Sequence, residues 1–294
     1  MRKSRFKCGL LIILVAFFFL SGCTHSSSTR PRTIHVTASV NFYGDVAKAV
    51  LGDHGRVSSL IRTSGVDPHD FQPTPKDAET ISKSNVVLMN GLGYDQWFRD
   101  LTRDVPHAKL ISVGNLINKR TGDNPHVWYR TQTMPKLAND LANQFGRIEP
   151  EHRQDFKRNA KRYVDSLRPV NVLLNRLRWH VRKRQVDVTE PVFDYSLHDL
   201  GYRIHDHGYS KAIEIGIDPT PEEIRGVQTD LKNHRVAFLV QNVQTSNSLT
   251  RHLVRLARQH HVPILKVSET MPNRKNYRSW MLKQDLQLAK IQKN

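Results

Sequence analysis

Cysteine is almost absent from this 294-residue chain, which contains only Cys8 and Cys23. From residue 24 onward the chain can form no internal disulfide, and it offers no thiolate for catalysis or for metal binding. Any metal site in that part must therefore use histidine and carboxylate side chains. The motif His-Glu-x-x-His, which places two zinc ligands and a general base on one helix, is absent as well.

Apolar runs long enough to cross a membrane are also missing. The longest run, Leu10–Leu20, has 11 residues, whereas a membrane-spanning helix needs about 20. A basic segment with four Lys and Arg residues precedes the run. This combination predicts that residues 1–22 are an export signal.

The end of this signal resembles a bacterial lipobox. Leu20-Ser21-Gly22-Cys23 places small residues before the cysteine, whose thiol receives the lipid in such motifs. We therefore expect an extracytoplasmic protein anchored to the cell membrane by lipidated Cys23. Residues 23–32 are rich in Ser and Thr and predict a flexible tether. The alternatives are a signal peptide with an unrelated cysteine, or an N-terminal anchor helix.

Acidic residues are fewer than basic ones, 27 against 45, which gives a formal net charge of +18. The signal carries four of these positive charges and no acidic residue, so about +14 remains after its removal. Strongly basic proteins often bind nucleic acid, but an exported lipoprotein does not normally meet it. We expect no nucleic-acid partner and attribute the charge to attraction to anionic lipid and cell wall.

Strand-like and helix-like segments alternate in two series. Strand-like segments lie at 34–38, 57–61, 85–90 and 109–113, and again at 186–189, 236–240 and 262–267. Such alternation predicts an α/β fold with two lobes, each with a mainly parallel sheet flanked by helices. We expect the N-terminal lobe over residues 33–149 and the C-terminal lobe over 185–294.

The intervening residues 150–184 contain no strand-like segment. Apolar residues from Phe156 to Leu177 recur at roughly helical intervals, and Pro169 can kink the helix. We therefore expect one long rigid helix to join the lobes. Such a linker allows less hinge motion than two or three crossing strands.

Two of the fifteen histidines follow a proline in a loop, His69 in DPHDFQPTP and His126 in NPHVW. The proline restricts the backbone and lowers the entropy cost of holding the imidazole in place. Glu190 and Glu269 each follow a strand-like segment of the second series. Carboxylates at the carboxyl ends of parallel strands face the crevice where α/β sheets bind ligands. Taken singly, each histidine would more often be a turn residue.

The segment His205-Asp206-His207 also resembles a metal-binding pair. Two histidines this close in a loop rarely bind a metal ion without further ligands. We expect no site from this segment alone.

The motifs together make the chain similar to the metal-binding receptors of bacterial ABC importers, the family that serves manganese and zinc uptake. The similarity covers nearly all of the chain after the signal and lies in DPHDFQPTP (67–75), NGLGYD (90–95), NPHVW (124–128), TEPVFDY (189–195), QNVQTSNS (241–248) and VSETMP (267–272). The resemblance implies that a single ion binds between the lobes to His69, His126, Glu190 and Glu269. It also implies a monomer with an ABC permease as its partner, with no catalytic residue and no cofactor.

The ion implied is Mn²⁺ or Zn²⁺. Two neutral imidazoles and two carboxylates neutralise a dication, and they suit tetrahedral Zn²⁺ or, with bidentate carboxylates, Mn²⁺. Many zinc members of the family carry a His-rich loop where residues 101–123 hold only His107, and many have His where Glu190 stands. Both departures favour manganese or a permissive site.

Two alternative functions remain open from the sequence. A secreted metal-dependent hydrolase would need an open coordination position and a general base near the metal. A surface adhesin or structural lipoprotein would show no dependence of its stability on metal.

Overall fold

The computed structural model describes residues 33–245 and 247–293, so the predicted signal, the tether and Cys23 lie outside the described residues. The strands are β1 (Ile34–Val40), β2 (Gly55–Ile61), β3 (Val86–Met89), β4 (Lys109–Ser112), β5 (Gln185–Val188), β6 (Arg203–Ile204), β7 (Leu239–Asn242) and β8 (Ile264–Val267). The α-helices are α1 (Asn41–Leu51), α2 (Pro75–Ser82), α3 (Gln96–Thr102), α4 (Val113–Leu116), α5 (Thr133–Ile148), α6 (Arg153–Ser166), α7 (Arg168–Arg178), α8 (Asp194–Leu200), α9 (His207–Glu214), α10 (Pro221–Lys232), α11 (Ser248–Gln259) and α12 (Tyr277–Lys293).

The strands form two parallel sheets with the same topology. Their orders are β2-β1-β3-β4 and β6-β5-β7-β8, and every strand pair in them is parallel. In each sheet the strand order reverses beside the first strand, and α/β sheets bind ligands beyond the carboxyl ends of the strands at such a point. The predicted fold class, two α/β lobes with parallel sheets, is confirmed.

Turn chemistry explains where two of the helices begin. The carboxylate of Asp77 accepts hydrogen bonds from the amide and the hydroxyl of Thr74, at 2.8 and 2.7 Å, just before α2. Glu223 does the same for Thr220 before α10. These interactions satisfy backbone donors that the first helical turn leaves without intrahelical partners.

The segment predicted as one long helix is divided at Leu167 into α6 and α7. Pro169 lies in the first turn of α7 and has no amide hydrogen to donate to the carbonyl four residues earlier, so the helical hydrogen-bond ladder is interrupted there. The C-terminal helix α12, which the sequence did not predict, packs on α7 and on β8. The predicted boundaries of the lobes and of the linking segment stay predictions.

An apolar core continues from one lobe into the other. The ring of Phe42 lies 4.8 Å from that of Trp128 and 5.6 Å from that of Trp280, between centroids. All three residues belong to a single cluster of buried side chains from both halves. The Tyr277 hydroxyl donates to the Trp128 carbonyl at 2.6 Å, which adds a polar link. Because separating the lobes would expose this core, wide hinge opening is costly.

Strand β7 begins later than its apolar run predicted. The run Val236–Val240 is buried for the most part, but the strand comprises Leu239–Asn242. Apolar continuity marks burial and does not mark strand pairing, and pairing with β8 starts only at Leu239. The later position makes Asn242 the last residue of the strand. No helix within residues 33–245 and 247–293 is long and apolar enough to cross a membrane.

Candidate metal centre

The four predicted ligands come from both halves of the chain and lie in loops or just after strands. Glu190 follows β5 by two residues, and Glu269 follows β8 by two residues. His69 lies in the loop between β2 and α2, and His126 directly precedes a 3₁₀ turn at Val127–Tyr129. The strand-end carboxylates therefore occupy the carboxyl edge of the second sheet, as the sequence predicted.

Three of the four residues meet closely. His69, His126 and Glu269 each offer a ligand atom, and these atoms lie within 4.8 Å of one another. The Nε2 atom of His69 is 4.0 Å from Oε2 of Glu269. The ring of Tyr94 packs edge-on against both imidazoles, with its centroid 4.9 Å from that of His69 and 6.2 Å from that of His126. Three donor atoms from both lobes can thus reach one ion.

His126 is fully buried and held in one orientation. The Oδ1 atom of Asn124 accepts hydrogen bonds from the His126 amide at 2.9 Å and from Nδ1 at 2.8 Å. Because Oδ1 can only accept, Nδ1 carries the proton. The Nε2 atom is buried and has no hydrogen-bond partner among the described residues. Burial, followed by the charges of His69 and Lys211, holds the pKa of His126 well below its usual value, so its imidazole is neutral.

The two carboxylates share one amide. The Nδ2 atom of Asn242 donates to Oε2 of Glu190 at 2.6 Å and to Oε1 of Glu269 at 2.7 Å. Thr245 donates a second, short hydrogen bond to Glu190. Burial raises the pKa of Glu190, and burial followed by the charge of Glu190 raises the pKa of Glu269 well above its usual value.

Oε2 of Glu269 remains buried without a hydrogen-bond partner in the described part of the chain. Together with Nε2 of His126 it forms a pair of unpartnered atoms of a kind that folded proteins seldom leave buried. Glu190 differs, because it does not belong to the group of three residues with ligand atoms within 4.8 Å. Its carboxylate lies beside that group, tied to Asn242 and Thr245.

The site opens to solvent on one side. His69 is the most exposed of the three clustered residues, with 31% of its side chain accessible. It lies with Glu190 on the wall of a cleft of about 690 Å³. The Asp67 carboxylate accepts a hydrogen bond from the His69 amide at 2.9 Å and thereby shapes the loop. An ion can therefore approach with its hydration shell and lose it at the buried side chains.

The sequence did not assign roles to four residues that support the site. Asn124 and Asn242 orient the candidate ligands, and Gln244 accepts hydrogen bonds through Oε1 from the amides of Glu269 and Thr270, at 2.7 and 2.9 Å. Oε1 of Glu214 lies 3.7 Å from Nδ1 of His126. The first three belong to the motifs NPHVW and QNVQTSNS, so their place in the motifs was a signal, but their bonds depend on the fold.

Comparison with known families identifies the protein family to which the chain belongs. A family model described as "ZnuA: Zinc-uptake complex component A periplasmic" matches residues 36–291. The chain belongs to this family. The resemblance to metal-binding receptors of ABC importers, inferred from the motifs, is confirmed.

Curated relatives and solved structures agree with this membership. The chain is 23% identical over 259 residues to the metal ABC transporter substrate-binding lipoprotein ScbA of Streptococcus cristatus, covering 81% of each. It is 28% identical over 209 residues to the manganese-binding lipoprotein MntA of Bacillus subtilis, covering 65% of this chain and 67% of MntA. The fold is similar to that of a Mn-bound periplasmic metal-binding protein from Candidatus Liberibacter asiaticus, with a TM-score of 0.73, 17% identity, and coverage of 88% and 99% of the two chains.

Proposed function

We propose that this protein is an extracytoplasmic receptor that captures Mn²⁺ or Zn²⁺ between its two lobes and delivers the ion to an ABC permease. The ion would bind to His69, His126, Glu190 and Glu269. The observation that carries the proposal is the buried Nε2 of His126, which has no hydrogen-bond partner among the described residues and lies in one cluster with Glu269.

Burying a polar atom without a hydrogen-bond partner is costly. A dication bound to Nε2 of His126 and Oε2 of Glu269 would remove that cost for both atoms. A neutral imidazole nitrogen and a carboxylate oxygen are suitable donors for Zn²⁺ and Mn²⁺. The raised pKa values of Glu190 and Glu269 follow from burying two carboxylates close together, and a cation between them would relieve their repulsion. Protons and the metal ion are therefore expected to compete for these two carboxylates.

Glu190 completes the set by a small movement. Its carboxylate shares the Asn242 amide with Glu269, and we infer that rotation of its side chain brings it toward the same ion. We infer that binding draws Glu190 from Thr245 toward the metal. With four protein ligands no coordination position is left for an activated water, which argues against a hydrolase.

Delivery depends on the exposed side of the site. Because the apolar core spans both lobes, we infer that the ion enters and leaves through movement of the loop that carries His69. A lipid on Cys23 would keep the receptor near its permease. The relatives named as lipoproteins support this anchoring, and we propose that the receptor acts as a monomer.

Metal titration tests the proposal. Chelator-treated protein is titrated with Mn²⁺ and with Zn²⁺ while the melting temperature is followed, since a ligand that binds only the folded state raises it. We expect a saturable increase that His126→Ala and Glu269→Gln strongly reduce. The matched controls are His107→Ala and Glu151→Gln, which change exposed residues. A melting temperature that responds to neither metal would refute the transport function, and full metal binding by both site variants would refute the ligand assignment.

A further inference from the structure

A second cluster of metal-ligand residues lies outside the cleft, where α10 packs on the second sheet. Asp187 on β5, His205 after β6 and Asp230 on α10 each offer a ligand atom, and these atoms lie within 4.8 Å of one another. His205 belongs to the segment His205-Asp206-His207, which lacked further ligands in the sequence. The fold supplies two carboxylates to it.

Strand register places the first two residues side by side. In the parallel pair β5–β6, Val186 is opposite Ile204, and the His205 amide donates to the Val186 carbonyl at 2.9 Å. Asp187 and His205 thus occupy the next position of the same ladder and the same face of the sheet. Asp230 lies on α10, the helix that covers this face, and its carboxylate is the third member of the cluster.

No hydrogen bond among the described residues explains why the Asp187 carboxylate is buried. Its exposure is 0%, and neither of its carboxylate oxygens has a hydrogen-bond partner within residues 33–245 and 247–293. Burial, followed by the charge of Asp230, raises the pKa of Asp187 to about 7. The Asp206 amide lowers this pKa slightly, but its geometry falls short of a hydrogen bond to either oxygen. A buried carboxylate of this kind is stabilised by a bound cation.

The other two residues leave room for an ion to enter. His205 bonds through Nδ1 to Oδ2 of Asp230, and 43% of its side chain is exposed. In that hydrogen bond Nδ1 carries the imidazole proton, because a carboxylate oxygen only accepts. When an ion replaces the hydrogen bond, the imidazole proton is on Nε2 and Nδ1 binds the metal. The guanidinium of Arg235 lies 3.8 Å from Oδ1 of Asp230 but is 58% exposed, so it can move into solvent when an ion binds.

We propose that Asp187, His205 and Asp230 form a second binding site for a divalent transition-metal ion. Two carboxylates and one imidazole neutralise a dication and match the ligand preference of Zn²⁺. Water on the exposed side of His205 supplies the remaining ligand. The carboxylate of Asp206 adds negative charge near Asp187.

A third cluster, His54, His152 and Asp155, shows what distinguishes this one. There both histidines lie within ion-pair distance of the Asp155 carboxylate, at 3.2 and 3.7 Å, and Arg158 bonds to it as well. That carboxylate is fully partnered and half-exposed, so the cluster is an ion-pair network. Asp187 is buried and has no partner among the described residues.

Zinc stoichiometry tests the second site independently of the first. The full chain with His126→Ala, which disables the cleft, is dialysed against ZnCl₂, and bound zinc per chain is measured by atomic emission. We expect one equivalent to remain. Adding His205→Ala or Asp187→Asn is expected to weaken this binding by about tenfold or more. His207→Ala is the matched control, because His207 is exposed and lies in the same segment outside the cluster.

Each result bears on the proposal. Loss of the remaining equivalent in both cluster variants, with His207→Ala unchanged, supports it. Absence of zinc from the His126→Ala protein, or binding that neither cluster variant weakens, overturns it. His205→Ala carries the test if Asp187→Asn does not fold, because the His205 side chain is partly exposed and its removal leaves the sheet intact.

Discussion

A single oxygen of Asn124 fixes both the backbone and the ring of His126. Its Oδ1 atom accepts from the His126 amide at 2.9 Å and from Nδ1 at 2.8 Å, while its Nδ2 donates to the Pro191 carbonyl at 2.7 Å. The last bond reaches into the second lobe and identifies which end of the amide faces His126. Asn124 thereby sets the tautomer and the orientation that present Nε2 to the cleft.

Asn124→Ala is predicted to weaken metal binding without removing a ligand. Loss of a residue that orients a metal-binding histidine typically lowers affinity by about 10–100-fold. Calorimetric titration with Mn²⁺ and Zn²⁺ measures the change, and Asn139→Ala, an exposed asparagine on α5, is the control. Unchanged affinity in Asn124→Ala would show that the ring is held by its packing alone.

Asn242→Ala is predicted to act through the carboxylates. Its Nδ2 is the only donor shared by Glu190 and Glu269 among the described residues. Without these two hydrogen bonds, less favourable interaction offsets the repulsion between the carboxylates. We expect metal affinity to fall by about tenfold, with a steeper loss at low pH because both pKa values rise further. Titrations at pH 6 and pH 8 measure this. An equal loss at both pH values would contradict the proposed cause.

The candidate ligands could be predicted from local sequence, but their supports could not. His69 and His126 follow prolines, and Glu190 and Glu269 follow apolar strands, so both signals are contained in a few neighbouring residues. The bonds of Asn242 connect the ends of three strands and depend on sheet order, which the pattern does not specify. Likewise Asp187 appears in sequence as one polar residue of a strand, and only the fold places it beside His205 and Asp230.

The elements of the fold likewise differ in whether neighbouring residues alone predict them. Both parallel sheets follow from alternating apolar runs and helical segments. The break at Leu167 could be anticipated from Pro169, but the helix Tyr277–Lys293 could not, because the polar residues Gln284 and Asp285 interrupt its buried stripe. Its role in joining the lobes became visible only in three dimensions.

Tyr277→Phe is predicted to destabilise the protein by about 1–3 kcal/mol. The hydroxyl donates to the Trp128 carbonyl at 2.6 Å across the lobe boundary, and its loss leaves that buried carbonyl without this donor. The melting temperature of metal-free protein should fall by roughly 2–4 °C per kcal/mol.

Tyr163→Phe provides the control for this change. The hydroxyl of Tyr163 is buried and has no hydrogen-bond partner within the described residues, so its removal should be neutral or slightly stabilising. Equal effects of the two substitutions would mean that the bond between Tyr277 and Trp128 contributes no net stability.

Asp285→Asn is predicted to remove a pH-dependent loss of stability. Burial on α12 raises the pKa of Asp285 to about 8, whereas in the unfolded chain it is about 3.9. Between these values the folded protein retains a proton that the unfolded chain has lost, so the free energy of unfolding decreases as pH rises. The decrease from this group is at most about 1.4 kcal/mol per pH unit. Asparagine cannot titrate, so the free energy of unfolding of the variant should rise progressively relative to that of the parent protein from pH 5 to pH 8.

Urea unfolding of metal-free protein at pH 5, 7 and 9 measures this difference. Asp165→Asn is the control, because the exposed Asp165 is paired with Lys161 at 2.5 Å and this pairing lowers its pKa, so its contribution to stability should not change between pH 5 and pH 9. A carboxylate with a lowered pKa stabilises the folded state above its unfolded pKa and loses that contribution as pH falls. If the stability of Asp285→Asn ran parallel to that of the parent protein across this range, Asp285 would be ionised in the folded state, and its burial would require a cationic partner.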